Sequence, residues 1–385
     1  MPRVMVTADW HIGASPDFGA PGQRVSDQAR MAREIASLVT SEQVDVVIEA
    51  GDVFHRRRPT PVEYLAWREF ADWVTVPILS VTGNHDLASL DMPDAQQPVV
   101  GATHRHYRRP AVVRFPEFEV AMLPWTIPSA AVTDWVGSYE GAVSSVGESL
   151  VEIAAALRAR CGPAAMLVLH WSLSGAVTPS GVSTAEFREP VIPVSELVGQ
   201  GWSAVCAGHI HRRQILSESP LVFYPGSPWA VDWGEIREPH GVTVFDVSEL
   251  GAVTGVRHID IEDRPFVAID EIEWDDDAPI LPAVEDAVVR VRVEIPAESN
   301  GHPLDGLGAD GLRRLIYEAG ANRVYQVQIT DLRRRRERAR VPELTETTTP
   351  LDALSLWLER QPDLTAMHRA ELTALATELV QEVGA

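Results

Sequence analysis

Five short polar runs, each directly after an apolar strand-forming stretch, constrain this chain more than any other feature. Asp9-Trp10-His11 follows the stretch 4–7, and Gly51-Asp52 follows 44–50, centred on Val46-Val47-Ile48. Gly83-Asn84-His85-Asp86 follows 77–81, His170 follows 166–169, and Gly208-His209-Ile210-His211 follows 203–206. Folds that alternate strands and helices collect ligands at the carboxyl ends of their strands. Strand after strand ending in Asp, Asn or His therefore predicts one shared site.

The intervening segments read as helices. The spacing predicts one over 26–38 and another along Val143, Val146, Leu150, Ile153 and Leu157, at period 3.6. Thr60-Pro61-Val62-Glu63 opens a third, running to about residue 73: Thr60 caps, Pro61 fits the first turn and Glu63 closes the capping box. Further strands are expected at 221–224 and 242–245. The class is α/β, a sandwich of sheets covered by helices.

Composition shifts near 262–266. An acidic stretch leads into the alternating strand 288–293, then a helix at 311–318 and a strand at 324–329, a small α+β module. Residues 345–349 form a polar linker. Thr349-Pro350 starts one terminal helix, and 368–383 forms another, with Leu372, Leu375, Ala376, Leu379, Val380 and Val383 on one face. That face packs on its own domain or on a partner. The expected division is 1–264, 265–344 and 345–385.

The net charge of -22 argues against unaided nucleic-acid binding, because phosphate contacts need Lys and Arg. Much of the acid, however, falls between 262 and 286. Basic residues gather at Arg56-Arg57-Arg58, at His104-Arg105-His106 with Arg108-Arg109, and from Arg333 to Arg336. Each run reads as a solvated face; the first two also follow metal-type motifs and are candidates to meet a phosphate backbone. The two cysteines, Cys161 and Cys206, make neither a disulfide framework nor a zinc finger. With no signal peptide and no apolar run of membrane length, the expectation is a cytoplasmic protein.

Carboxylates, an amide oxygen and imidazoles suit Mn, Fe or Zn rather than Ca. Asp52 can bridge two ions, Asn84 offers a neutral oxygen, and His85 is a proton donor. No Ser-His-Asp or Cys-His arrangement competes, and no phosphate-binding loop of the ATPase kind is present. Trp10 and Trp229 read as core residues or, less strongly, as platforms for a base. Pro225-Gly226-Ser227-Pro228 reads as a turn beside the site.

The series of motifs resembles the calcineurin-like metallophosphoesterase superfamily and, within it, the SbcD-type DNA repair nucleases. Three details carry the narrower resemblance. Gly51-Asp52-Val53-Phe54-His55 places a histidine three residues after the aspartate, Gly83-Asn84-His85-Asp86 ends in Asp where protein phosphatases of the superfamily have Glu, and Tyr224-Pro225-Gly226-Ser227-Pro228 follows the paired histidines. The resemblance covers residues 1–270; beyond that it rests on the plan of a cap and terminal helices.

It implies a metallophosphoesterase β-sandwich flanked by helices, a small cap that recognises DNA, and C-terminal helices that bind an ATPase. Asp9, His11, Asp52 and His211 would hold one divalent ion; Asp52, Asn84, His170 and His209 would hold the other, most naturally manganese. His85 and His55 would stabilise the transition state or protonate the leaving oxygen, and Arg56, Arg57, Arg58, Arg105, Arg108 and Arg109 would contact DNA. The implied activity is exonuclease on double-strand ends and endonuclease on single strands and hairpins, in a homodimer joined to an SbcC-like ATPase as a heterotetramer. The rivals are a small-molecule phosphoesterase of the same fold and a non-catalytic DNA-end scaffold.

Overall fold

A computed structural model describes residues 1–14, 23–87, 94–96, 98, 100–126, 139–275, 278–299, 301–333, 349–361 and 364–383. The chain divides into two compact units. The first holds Met1–Val267 together with Val284–Val289 and Gly320–Tyr325; the second holds Ala268–Ala283, Arg290–Ala319 and Gln326–Ala385.

The first unit is built on two six-stranded sheets. One contains β1 (Arg3–Thr7), β2 (Val46–Glu49), β3 (Ile78–Val81), β4 (His104–Tyr107), β13 (Gly241–Val247) and β14 (Val253–Asp260), in the order β14-β13-β1-β2-β3-β4. The other contains β5 (Ala111–Arg114), β6 (Glu119–Leu123), β7 (Ala165–His170), β10 (Ala204–Gly208), β11 (Gln214–Glu218) and β12 (Leu221–Tyr224), in the order β11-β12-β10-β7-β6-β5. Strands β1 to β4 are mutually parallel, as are β6, β7, β10 and β12. Two short strands, β8 (Ser172–Leu173) and β9 (Val191–Ile192), pair separately.

Alternation along the strands explains the layers. Val4, Val6, Val46, Ile48 and Leu79 from the first sheet share one core with Val120, Met122, Met166, Val168 and Cys206 from the second. The odd-phase neighbours Met5, Val47 and Ile78 face helices α1 (Gln23–Ser41) and α2 (Pro61–Ala71). On the second sheet, Leu167, Leu169 and Val205 face α3 (Tyr139–Arg158) and α4 (Val194–Gly199). The inner strands are therefore apolar on both faces, which makes them readable as continuous apolar runs. The α/β class with sheets between helices is the observed one.

Local chemistry sets the boundaries. Thr60 accepts from Glu63 N at 3.4 Å while Glu63 Oε2 accepts from Thr60 N at 2.6 Å, the reciprocal cap expected from the sequence. Helix α2 ends at Ala71, before Trp73, and α1 extends beyond both of its expected ends. Trp10 and Trp229 are fully buried, with ring centroids 5.1 Å apart, and Trp10 also packs on Trp67 and Phe70. Neither ring has a free face for a base, so the stacking alternative is ruled out by burial.

The second unit carries most of the small sheet β15 (Phe266–Ile269), β18 (Val288–Ile295) and β19 (Arg323–Asp331), in the order β15-β18-β19, and the hairpin β16 (Glu273–Asp275) to β17 (Ala278–Ile280). In β18, Val291, Val293 and Ile295 are buried while Arg292 and Glu294 are exposed, the alternation expected of a half-buried strand. Helix α5 (Leu304–Glu318) starts earlier than its expected residue 311 and breaks at Gly308, whose φ is 62°. Helices α6 (Pro350–Glu359) and α7 (Ala366–Val383) close the chain, with Thr349 capping α6 through Asp352 N. The linker at 345–348 and Arg334 to Arg336 lie outside the described residues; Arg333 pairs with Asp305 and Asp331. Among the described residues no helix is long and apolar enough to cross a membrane.

Candidate active site

The loops that leave β1, β2 and β3 of one sheet meet those that leave β7 and β10 of the other. Asp9 N donates to Gly51 O at 2.9 Å and His11 N to Asp52 O at 3.0 Å, tying the first two loops together. Asp9, His11, Asp52 and His209 all have positive φ, at 56°, 43°, 62° and 102°. Such backbone costs of order 1–3 kcal/mol per residue and persists where surrounding structure over-determines it, typically at functional sites. Two glycines permit the close approach. A Cβ on Gly51, whose φ is 101°, would lie 2.3 Å from His170 Nδ1, and one on Gly83 would lie 2.0 Å from Asp52 Oδ1.

Side chains from both sheets converge on Asp52. Its Oδ2 lies 3.3 Å from His170 Nε2 and 3.6 Å from His11 Nε2. Asn84 Oδ1 lies 3.0 Å from both His170 Nε2 and His209 Nδ1. Asp9 accepts from His209 N at 2.9 and 3.1 Å. Three groups have ligand atoms within 4.8 Å of one another: Asp9, His11 and His211; Asp9, Asp52 and His170; and His11, His55 and His85. The first two groups are triads of carboxylate and imidazole suited to divalent transition metals.

The fit of a cation can be judged from the protein atoms. His11 Nε2 is buried without a hydrogen-bond partner. Burial, then the charge of His211, hold the His11 ring well below the usual imidazole range, which favours the neutral form that can ligate a cation. His170 Nδ1 donates to Ala50 O at 2.7 Å, which turns Nε2 into the cluster. Burial works against charge on Asp52, yet the facing His170, His11 and His85 hold its carboxyl well below the usual range. Burial likewise opposes protonation of His170 and His211, and Asp52 and Glu235 respectively lead the acids that raise each to about 9. A site of this kind, acid and imidazole packed against each other, is built to exchange its protons for cations.

His55 and His85 are partly buried beside His11. Their rings stack at 5.3 Å, His85 Nδ1 donates to His55 O at 2.9 Å, and the His85 ring lies 4.6 Å from His11. Burial, then the charges of His85 and Arg56, lower His55 to about 4. Their distance to His11 also permits a ligand role, which their place in the sequence does not suggest.

Of the basic candidates, Arg57, Arg58, Arg105 and Arg109 are exposed. Arg56 is half-committed: it bonds Gly13 O at 3.1 Å and pairs with Glu63 at 3.2 Å. Arg108 lies 3.4 Å from the buried Asp94. His104 and His106, grouped with the basic residues by sequence, turn inward to Ser80, each at 2.8 Å. Ser227 N donates to His211 O at 2.9 Å, so the turn at 225–228 does border the site.

Four acidic side chains at the site carry no role that the sequence alone assigns. Asp86 accepts from the backbone N–H of Asp52 and Gly83, both at 3.1 Å, and from Gln96 at 2.7 Å. Burial, then the Asp52 charge, push it up to about 6. Glu49 is buried beneath Gly51, and burial followed by the Asp86 charge raises it well above its ordinary value. Glu189 and Glu235 contact His209 and His211. A cleft of about 720 Å³, lined by Thr178, Pro179, Phe187, Arg188 and Glu189, opens beside these two histidines.

Residues 2–146 match the calcineurin-like phosphoesterase family. The chain is 26% identical over 291 residues to the SbcD subunit of nuclease SbcCD from Rhodobacter capsulatus, covering 67% of this chain and 68% of that protein. It is 26% identical over 269 residues to the Bacillus subtilis protein of the same name, covering 63% and 66%. A match to the DNA double-strand break repair protein Mre11 of Methanopyrus kandleri runs at 24% identity over 381 residues, 91% of this chain and 74% of that one. The chain thus spans about two thirds of the first two relatives. It carries a calcineurin-like phosphoesterase domain over residues 2–146 and is similar to the SbcD and Mre11 proteins over most of its length.

Proposed function

We propose that this chain is a two-metal DNA phosphodiesterase, the nuclease subunit of an SbcCD-type repair complex. The observation that carries the reading is the place of Asp52, between His11 from its own sheet and His170 from the other, with Asn84 joining His170 to His209. Asp9, His11, Asp52 and His211 would hold one divalent cation; Asp52, Asn84, His170 and His209 would hold the second. Bound there, divalent cations such as Mn²⁺ supply Lewis-acid charge and a water acidic enough to attack a phosphodiester at neutral pH. The protein's own part is to fix the phosphate and manage the proton. His85, oriented by the His55 carbonyl, would in its protonated form donate from Nε2 to the leaving oxygen. No side chain is needed as nucleophile.

Arg57, Arg58, Arg105 and Arg109 are open to a phosphate backbone. Val62 and Leu65 on α2 and Trp73 just beyond it are exposed apolar side chains, which suits contact with a second copy of the chain. Trp357, Met367, Leu372 and Leu375 on the terminal helices are likewise exposed, which suits docking to an SbcC-like ATPase. In this reading the protein works in the cytoplasm, the partner shares the grip on DNA, and the overall charge of -22 is no obstacle.

The net acidity does favour a second reading, hydrolysis of small phosphoesters. A substrate panel separates the two: labelled hairpin and linear duplex DNA beside p-nitrophenyl phosphate and cyclic nucleotides, with Mn²⁺. Cleavage of DNA supports the nuclease; turnover confined to the small esters transfers the site to the other class.

A further inference from the structure

The two histidines of the pair after β10 face the cluster through different nitrogens. His209 turns Nδ1 to Asn84 Oδ1 at 3.0 Å and Nε2 to Glu189 Oε1 at 2.8 Å. His211 is reversed: its Nδ1 meets Glu235 Oε1 at 2.6 Å, which leaves Nε2 for the Asp9 and His11 group. Each carboxylate is itself held. Glu189 Oε1 also accepts from Ser172 Oγ at 2.5 Å, and Glu235 Oε2 accepts from Val231 N at 2.8 Å. Glu235 is buried, with 3% exposure; Glu189 borders the open cleft.

A neutral imidazole has one donor and one acceptor nitrogen, so a carboxylate on one nitrogen draws the proton there and leaves the lone pair on the other. Residues 209 and 211 are separated by one position, so two identical ring orientations would not be distinguished by the chain alone. We infer that Glu189 and Glu235 are positioning residues that impose opposite tautomers on His209 and His211, presenting Nδ1 of the first and Nε2 of the second to divalent cations. The two carboxylates come from separate loops, so each governs one histidine. If His209 and His211 serve different ions, each carboxylate governs one site. The inference rests on the two-metal reading, and its test separates the two.

The experiment titrates Mn²⁺ into chelator-stripped full-length protein by calorimetry, for the wild type and for Glu189→Ala, Glu189→Gln, Glu189→Leu, Glu235→Ala, Glu235→Gln and Glu235→Leu. Loss of the partner of a metal-binding histidine typically weakens metal affinity about 10–100-fold. Each alanine variant should weaken one of two binding events by that factor and spare the other. Each glutamine variant, which keeps an acceptor oxygen, should recover most of the loss, whereas Glu189→Leu and Glu235→Leu, which fill the space without an acceptor, should not. Wild-type protein labelled with ¹⁵N-histidine and loaded with ¹¹³Cd²⁺ should show cadmium coupling at Nδ1 of His209 and Nε2 of His211. Two wild-type binding events left unchanged in both alanine variants would overturn the inference while keeping the metal reading, as would coupling through the same nitrogen in both rings. Failure of the wild type to bind a divalent ion would overturn the metal reading and the inference with it.

Discussion

Asp52 Oδ2 lies 3.3 Å from His170 Nε2, a contact between the loop after β2 in one sheet and the last residue of β7 in the other. The residues are 118 positions apart, the difference of 170 and 52. Both side chains are buried. The sandwich therefore brings a carboxylate and an imidazole together at the ends of inner strands, where neither has room to move away.

The variant Asp52→Asn should lose metal and activity together. Its single oxygen would have to serve where a charged carboxylate now stands between His11 and His170. DNA cleavage should fall to background, while circular dichroism and melting remain those of a folded protein. Elemental analysis should find less than the wild-type content of divalent ion. Near-normal turnover with two bound ions would remove Asp52 from its bridging place.

His85→Ala and His55→Ala should separate chemistry from metal binding. A positioned acid or transition-state donor contributes about 10²–10⁴-fold, so single-turnover cleavage should drop by that range with both ions retained. The proximity of His55 and His85 to His11 makes metal analysis decisive here. Loss of an ion in either variant would make that histidine a ligand.

Asp86→Ala should destabilise the fold as well as the site. The carboxylate satisfies Asp52 N, Gly83 N and Gln96, all buried. Each stranded buried donor costs about 1–3 kcal/mol, so urea unfolding should show a loss of about 3 kcal/mol or more. Asp86→Asn, which keeps an acceptor, should lose less. Equal stability of the alanine variant and the wild type would contradict the anchoring role.

The residues of the strand-end cluster were legible because each stands at the end of an apolar run, and burial on both faces makes such runs continuous. Other parts were not. Strand β4 reads His104-Arg105-His106-Tyr107, a polar edge strand whose histidines turn inward to Ser80, and nothing in its composition separates it from a basic surface run. Glu189 and Glu235 stand 20 and 24 residues from the histidines they hold, in loops with no pattern of their own. Only the fold brings them together. Asp86 was visible as a motif residue, but its work on the Asp52 loop depends on the approach of two strand ends.

DNA binding by the isolated chain should be weak and steeply salt-dependent. Each neutralised phosphate adds about -0.9 to the slope of log K against log salt. Charge reversal at the exposed Arg57 and Arg58 should flatten that slope by about 0.9 for each phosphate no longer neutralised, equally for all sequences. Fluorescence anisotropy at several salt concentrations measures it. Tight, salt-insensitive binding by the isolated chain would contradict this picture.

The most direct test of the central claim is metal add-back on DNA cleavage. Protein stripped with chelator should leave labelled hairpin DNA intact, and Mn²⁺ should restore cleavage, saturating at two bound ions per chain. Cleavage by metal-free protein at the full rate, or saturation of activity with a single ion, would contradict a two-metal phosphodiesterase centred on Asp52.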